Sequence, residues 1–190
     1  MTVSRYSHAV RLRLASSADL PALHILIEAS VRGLMTHQYS LAELEGALGT
    51  YLGVDTQLID DQTYFIAEVQ STSCPTMVGC GGWSKRSTLF GADHRPGREN
   101  SLLDPTTDAA KIRAYFIHPD WTRRGIGRQI LQACEASARA AGFKNLEMGA
   151  TLTGVPMYRA NGYAEVDSVK VALPNGEFLT VVRMRKAADQ

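Results

Sequence analysis

A chain of 190 residues, 45% hydrophobic and 21% charged, is long enough to bury a sizeable core, and the length prior predicts one domain over residues 1–190. Its net charge of +1 provides no global field for nucleic acid or an anionic membrane, so any attraction for anions must come from local patches. Cys74, Cys80 and Cys134 are odd in number and widely spaced, which predicts buried reduced thiols rather than a disulfide framework or a metal site. No stretch has the apolar run of a signal peptide or a membrane span, so a cytoplasmic protein is expected.

In chain order, Val10 to Leu14 alternates apolar and basic residues, the pattern of a strand with one buried face. Ser16 or Ser17 then caps a helix carrying Leu20, Leu23, Ile27 and Val31 on one side, with Pro21 in its first turn. Ser40 and Glu43 have the spacing of a capping box and open a second helix; His37 and Tyr39 before it read as ordinary loop residues. Residues 63–69 and 77–83 are two strands joined by a turn over 70–76. Gly79, Gly81 and Gly82 weaken the second strand and predict a bulge or a close backbone approach. Trp83 belongs to the core or its rim.

Residues 84–108 form a polar stretch containing Gly91, Pro96, Gly97 and Pro105. It exceeds an ordinary hairpin connection, so it is expected to be a lid, a binding loop or a solvated loop inserted between the third and fourth strands. Its Lys85, Arg86, Arg95 and Arg98 would attract an acidic acceptor if they were free.

The chain is organised around residues 109–142. An apolar segment with Ile112, Ala114, Tyr115, Phe116 and Ile117 runs to His118 and Pro119, turns through Asp120 to Arg124, and enters a helix at Gly125-Ile126-Gly127. Ile126, Ile130, Cys134, Ala138 and Ala141 recur at helical spacing, with Arg128, Gln132, Glu135 and Arg139 elsewhere on the cylinder. Gly142 is the expected C-cap. A helix amino terminus offers unpaired N–H groups and a partial positive charge. Arg123, Arg124 and Arg128 add full charges there, and glycines remove the Cβ atoms that would keep a phosphate away. Beyond it, 145–152 reads as a fifth strand and 156–161 as a short helix ended at Gly162. Residues 163–173 and 177–184 form a hairpin around Pro174-Asn175-Gly176.

The ordered pair Thr122-Arg123-Arg124-Gly125-Ile126-Gly127 and Tyr158-Arg159-Ala160-Asn161-Gly162-Tyr163 resembles the GCN5-related N-acetyltransferase superfamily over roughly residues 10–185. That family's signatures are [QR]-x-x-G-x-[GA] after the fourth strand and Y-x-x-x-G-[FY] near the carboxyl terminus. Thr122 departs from the first, removing one polar side chain but leaving the amide cradle. The resemblance implies an α/β (α+β) fold: a mixed, mostly antiparallel sheet of about six to seven strands with helices on both faces.

It also implies N-acetyl transfer from acetyl-CoA, without a metal, to a primary amine of a small molecule or peptide, and is compatible with a homodimer. Phosphates would lie on Arg123, Arg124, Gly125, Ile126, Gly127 and Arg128, and the pantetheine arm along the edge of Tyr115, Phe116 and Ile117. Tyr158 would be the acid for the leaving thiolate and Glu147 the base, with Glu68 and Asp108 as rivals and His118 a turn residue. A non-catalytic acyl-CoA-binding sensor on the same scaffold is the competing reading.

Overall fold

The computed structural model describes residues 9–70 and 75–187; Cys74 and most of the expected 70–76 turn lie outside them. Seven strands form one sheet in the order β1-β2-β3-β4-β5-β7-β6. They are β1 (Val10–Leu14), β2 (Tyr64–Val69), β3 (Thr76–Ser84), β4 (Ala109–Ile117), β5 (Asn145–Thr151), β6 (Ala164–Ala172) and β7 (Phe178–Ala187). Every neighbouring pair is antiparallel except β4 and β5, which run parallel. β7 therefore lies between β5 and β6 and ladders with both.

One face of the sheet carries α1 (Leu20–Leu34), α2 (Leu41–Ala47) and α3 (Thr56–Asp60), which with residues such as Tyr64, Ile66 and Phe116 build one core. The other carries α4 (Ile126–Ala140) and α5 (Val155–Arg159), which with Ala110, Ile112, Leu146 and Met148 build a second. Local chemistry explains the starts of the first two helices. Ser16 donates through its amide and its hydroxyl to Asp19 Oδ2 at 2.8 and 2.9 Å, closing a 3-10 turn (Ser17–Asp19) that leads into α1. Pro21 fills the first turn of α1, where its missing N–H costs nothing. Ser40 and Glu43 exchange the two bonds of a capping box, at 2.7 and 3.2 Å.

Several expectations need correction. α3 was not foreseen, because five residues carry no helical period; its start is held by Asp93, whose carboxylate accepts from the Thr56 amide at 2.9 and 3.2 Å. Glu135 was expected off the packed side of α4 but is buried, receiving the Tyr163 hydroxyl at 3.0 Å and Lys186 Nζ at 3.0 Å. Ala141 was expected on that side and is exposed, because the helix ends before it and Gly142 turns the chain at φ +93°. Tyr39 is no ordinary loop residue. It is buried, donating to the Thr180 carbonyl at 2.6 Å and accepting from the Leu152 amide at 2.7 Å, which clasps the α1–α2 connection to β5 and β7. Trp83 is core, edge-on to Phe143 with ring centroids 5.8 Å apart. Cys80 and Cys134 are buried free thiols, and burial pushes Cys80 up to about 12.

The glycines of β3 do mark a close approach. A Cβ on Gly81 would sit 2.3 Å from the Tyr115 ring, and one on Gly79 would press Ile117, Ile130 and Ile126. The missing side chains let α4 and the end of β4 settle onto the sheet.

Candidate active site

β4 and β5 ladder only from Ala109↔Asn145 to Lys111↔Glu147. Beyond that point the two strands diverge, and the space between them is lined by Ile112, Tyr115 and Phe116 on one side and Met148, Ala150 and Thr151 on the other. The cause lies in β4 itself. Cys80 pairs with Phe116 and Gly82 with Arg113, so Gly81 faces two residues, Ala114 and Tyr115. Ala114 takes φ +52°, a left-handed conformation rare for a residue with a Cβ. Its carbonyl turns to the buried Tyr64, whose hydroxyl donates at 3.2 Å and also lies 3.3 Å from Cys80 Sγ.

The cleft runs toward the amino end of α4. Arg123 and Gly125 both have positive φ, +61° and +78°, and together reverse the chain into the helix. The first intrahelical bond is Gln129 N to Gly125 O at 3.1 Å, so the amides of Ile126, Gly127 and Arg128 precede the ladder. A Cβ built on Gly125 would meet nothing within 4 Å, and one on Gly127 only Met157 Sδ and Tyr115 Cε1 at 3.9 Å; the space over these amides is open. Arg123 and Arg128 are exposed. Arg124 stacks over Trp121 at 4.4 Å and donates to the Asp120 carbonyl at 3.1 Å. Thr122, where the family pattern has Gln or Arg, donates instead to the Pro119 carbonyl at 3.1 Å, closing the turn. This end of the molecule suits a phosphate-bearing ligand.

Tyr158 is buried on α5 and lines the same cleft. Its ring packs edge-on between Tyr115 and Tyr163, with centroids 5.9 and 6.0 Å away. Burial pushes its hydroxyl well above the ordinary tyrosine range, so it stays protonated and can donate at neutral pH. Tyr115 is committed elsewhere, its hydroxyl donating to the Gly127 carbonyl in the first turn of α4.

The expected base is placed differently. Glu147 stands on β5 where the β4 pairing ends, but it is not among the residues lining the cleft. Lys111 Nζ lies 2.6 Å from one of its oxygens and Arg185 Nε 2.9 Å from the other. Burial by itself would raise its pKa, but the bonds from Lys111 and Arg185 outweigh it and the net shift is downward. Glu68 is taken by Arg13 at 2.6 Å, and Asp108 accepts from the Asp104 amide at 2.8 Å. His118 caps the short turn after β4, its Nδ1 accepting from the Asp120 amide at 3.2 Å. Among the described residues, no group of His, Cys, Asp and Glu side chains could hold a metal ion.

The basic residues of the β3–β4 connection are not free for an acidic acceptor. Arg86 is bound to Asp61 at 2.7 Å, and Lys85 lies 3.7 Å from the same carboxylate. Arg98 reaches Asp55 at 2.5 Å, and Arg95 stacks over Phe90 at 4.9 Å. Sequence reading also missed Arg113 and Asp55, a buried pair 2.7 Å apart behind the cleft. Their partnership spans β4 and the start of α3, and no local pattern announces it.

Residues 101–187 match the family model of the acetyltransferase (GNAT) domain. The fold is shared with solved structures that cover almost the whole chain. One is a protein from Rhodopseudomonas palustris described as a GCN5-related N-acetyltransferase and "Aminotransferase, Class-II", with TM-score 0.67 and 21% identity over 98% of this chain and 99% of that one. Another is the PaiA N-acetyltransferase of Thermoplasma acidophilum in complex with coenzyme A, at TM-score 0.62 and 14% identity over 94% and 99%. A third is a ribosomal-protein-alanine N-acetyltransferase from Brucella melitensis, at 0.58 and 19% over 93% and 99%. No curated protein matches the chain in sequence.

Proposed function

From the premise that this chain has the GCN5-related N-acetyltransferase fold and that its residues 101–187 match the GNAT domain, we propose that it transfers an acetyl group from acetyl-CoA to a primary amine. The observation that carries the reading is the divergence of β4 and β5 into a gap lined by Tyr115, whose hydroxyl reaches the first turn of α4 at Gly127. A gap between two strands accepts an extended, amide-containing arm as it would accept a strand, and an uncapped helix end accepts the phosphates that follow it. Bound there, acetyl-CoA supplies an activated acyl group.

The chain's own residues then have three tasks. The amides of Ile126, Gly127 and Arg128, with the charges of Arg123, Arg124 and Arg128, hold phosphate. The edge of 115–117 orients the arm, and Tyr64 braces the bulge beside it by donating to the Ala114 carbonyl. Tyr158 gives a proton to the sulfur as the C–S bond breaks and the C–N bond forms and regains one from the new amide nitrogen, while the proton that the ammonium loses before attack passes to solvent. Holding both reactants in one cleft supplies the larger part of the acceleration. No helix among the described residues is long and apolar enough to cross a membrane.

The test is calorimetric titration with acetyl-CoA followed by free-thiol release across a panel of amines. Binding with amine-dependent release is the expected result. Binding without release from any amine favours a non-catalytic acyl-CoA sensor, and failure to bind removes both readings.

A further inference from the structure

The acceptor side of the cleft has its own chemistry. Its wall is apolar and aromatic, with Met35, Leu52, Tyr51 and Phe90, the last two rings 6.3 Å apart. No Asp or Glu stands among the described residues lining it, and the one charged residue there is Arg113. An ammonium group, as on a polyamine or a lysine side chain, finds no counter-ion in such a wall.

Behind the wall lies a cluster with an unbalanced charge. Arg113 feels the charge of two further guanidinium groups, Arg95 and Arg98, and of two carboxylates, Asp55 and Asp93, which are held by Arg98 and Arg113 and not by Arg95. Asp55 Oδ1 takes Arg98 at 2.5 Å, and Arg113 Nη2 stands 2.7 Å from Asp55 Oδ2, a charge contact without hydrogen-bond alignment. Asp93 lies 3.5 Å from Arg98 Nη1. Arg113 further donates to the Thr88 and Gly91 carbonyls at 3.1 and 2.6 Å, and Arg95 to the Phe90 carbonyl at 2.7 Å. Even so, Nε of Arg95, Nη1 of Arg98 and Nε of Arg113 are buried without a hydrogen-bond acceptor. The Arg113 side chain is only 1% exposed. Buried donors and a surplus positive charge in one place are what an anion relieves, and in a low-dielectric wall the attraction is poorly screened.

We propose that the acceptor is an amine carrying a carboxylate on an apolar or aromatic body, the chemistry of a hydrophobic α-amino acid. Its body lies on Tyr51 and Phe90, and its carboxylate answers the surplus charge of the arginine cluster at Arg113. This rests on the acetyl-transfer reading above.

Thiol release on the full-length protein decides it with matched pairs of acceptors: L-phenylalanine against phenethylamine, L-leucine against isoamylamine, and spermidine as a polycation. The expected result is a kcat/KM at least about tenfold higher for the carboxylated member of each pair, with spermidine slowest. Arg95→Met makes the cluster two against two while leaving Asp55 both of its arginines. It should cut that preference to below about threefold and leave acetyl-CoA affinity unchanged. Equal rates within pairs, preference for the amine without a carboxylate, or no turnover of any carboxylated amine overturns the proposal. Calorimetry separates the two failures: acetyl-CoA bound with the wrong acceptor preference sinks only this inference, whereas acetyl-CoA not bound sinks the transferase reading beneath it.

Discussion

The two ends of the cleft use arginine in opposite ways. At the amino end of α4, Arg123, Arg124 and Arg128 are exposed, and the hydrogen bond and ring contact of Arg124 leave its charge uncompensated. On the far side of the cleft, Arg113 is buried, Arg98 is half-buried, and both are bound to the protein's own carboxylates. A charge in water is inexpensive to keep and is available to a ligand; a charge in the interior has to be matched at once, and then belongs to the fold. The first arrangement leaves its charge available to an anion, and the second ties charge first of all into the fold.

Removing Asp55 breaks this contrast most severely. Asp55→Ala leaves the buried Arg113 and the half-buried Arg98 beside no carboxylate but Asp93, and should destabilise the protein by about 3 to 5 kcal/mol in urea unfolding. A loss under about 1 kcal/mol would mean that the pair is not buried in solution. Next comes Tyr158→Phe, expected to lower kcat at least about tenfold with little change in acetyl-CoA affinity, because only the proton is lost. Unchanged turnover would reduce Tyr158 to a packing residue. Arg124→Glu should weaken acetyl-CoA binding about tenfold, less so at high salt, with unfolding stability within about 0.5 kcal/mol of the parent. An affinity that does not move would take the phosphate site away from this helix end. Tyr64→Phe leaves the Ala114 carbonyl only its long contact from Cys80 Sγ at 3.8 Å and should cost about 1 kcal/mol of stability together with a fall in kcat that exceeds any change in KM.

The smallest effect expected is one of pH. Asp19 is lowered to about 2, chiefly by its hydrogen bonds from Arg13. A carboxyl depressed on folding stabilises above its unfolded pKa near ~4 and loses that contribution as pH falls toward the folded value. The Arg13→Met variant should therefore lack a segment of acid destabilisation between about pH 4 and pH 2, of order 1 kcal/mol, when midpoints are compared by titration.

How far the sequence disclosed all this depends on how local each cause is. The helix entry at Gly125 to Gly127, the capping box at Ser40 and the turn at Gly176 are written in adjacent residues, and each stands where its pattern put it. Glu147 illustrates the other case. A carboxylate on the fifth strand was visible, but its capture by Lys111 from one neighbouring strand and Arg185 from the other depends on strand order. Glu135 is similar: helical spacing sends it outward, and the arrival of Tyr163 and Lys186 from distant segments supplies the partners that make its burial tolerable. Arg86 and Arg98 looked available from their own stretch of sequence, yet Asp61 and Asp55, at the two ends of α3, take them.

The placement of β7 between β5 and β6 has a consequence for how the molecule comes into being. During synthesis, β1 to β4 and α1 can associate as soon as they emerge, but β5 has only its short parallel ladder to β4 until residues 178–187 arrive to flank it. One wall of the cleft, β5, thus stays flanked on one side only until residues 178–187 arrive, after β1 to β4 have emerged. On the acetyl-transfer proposal, nascent chains halted before residue 178 should carry the amino end of α4 without a fully flanked β5, so acetyl-CoA binding appears only once β7 has slid into place.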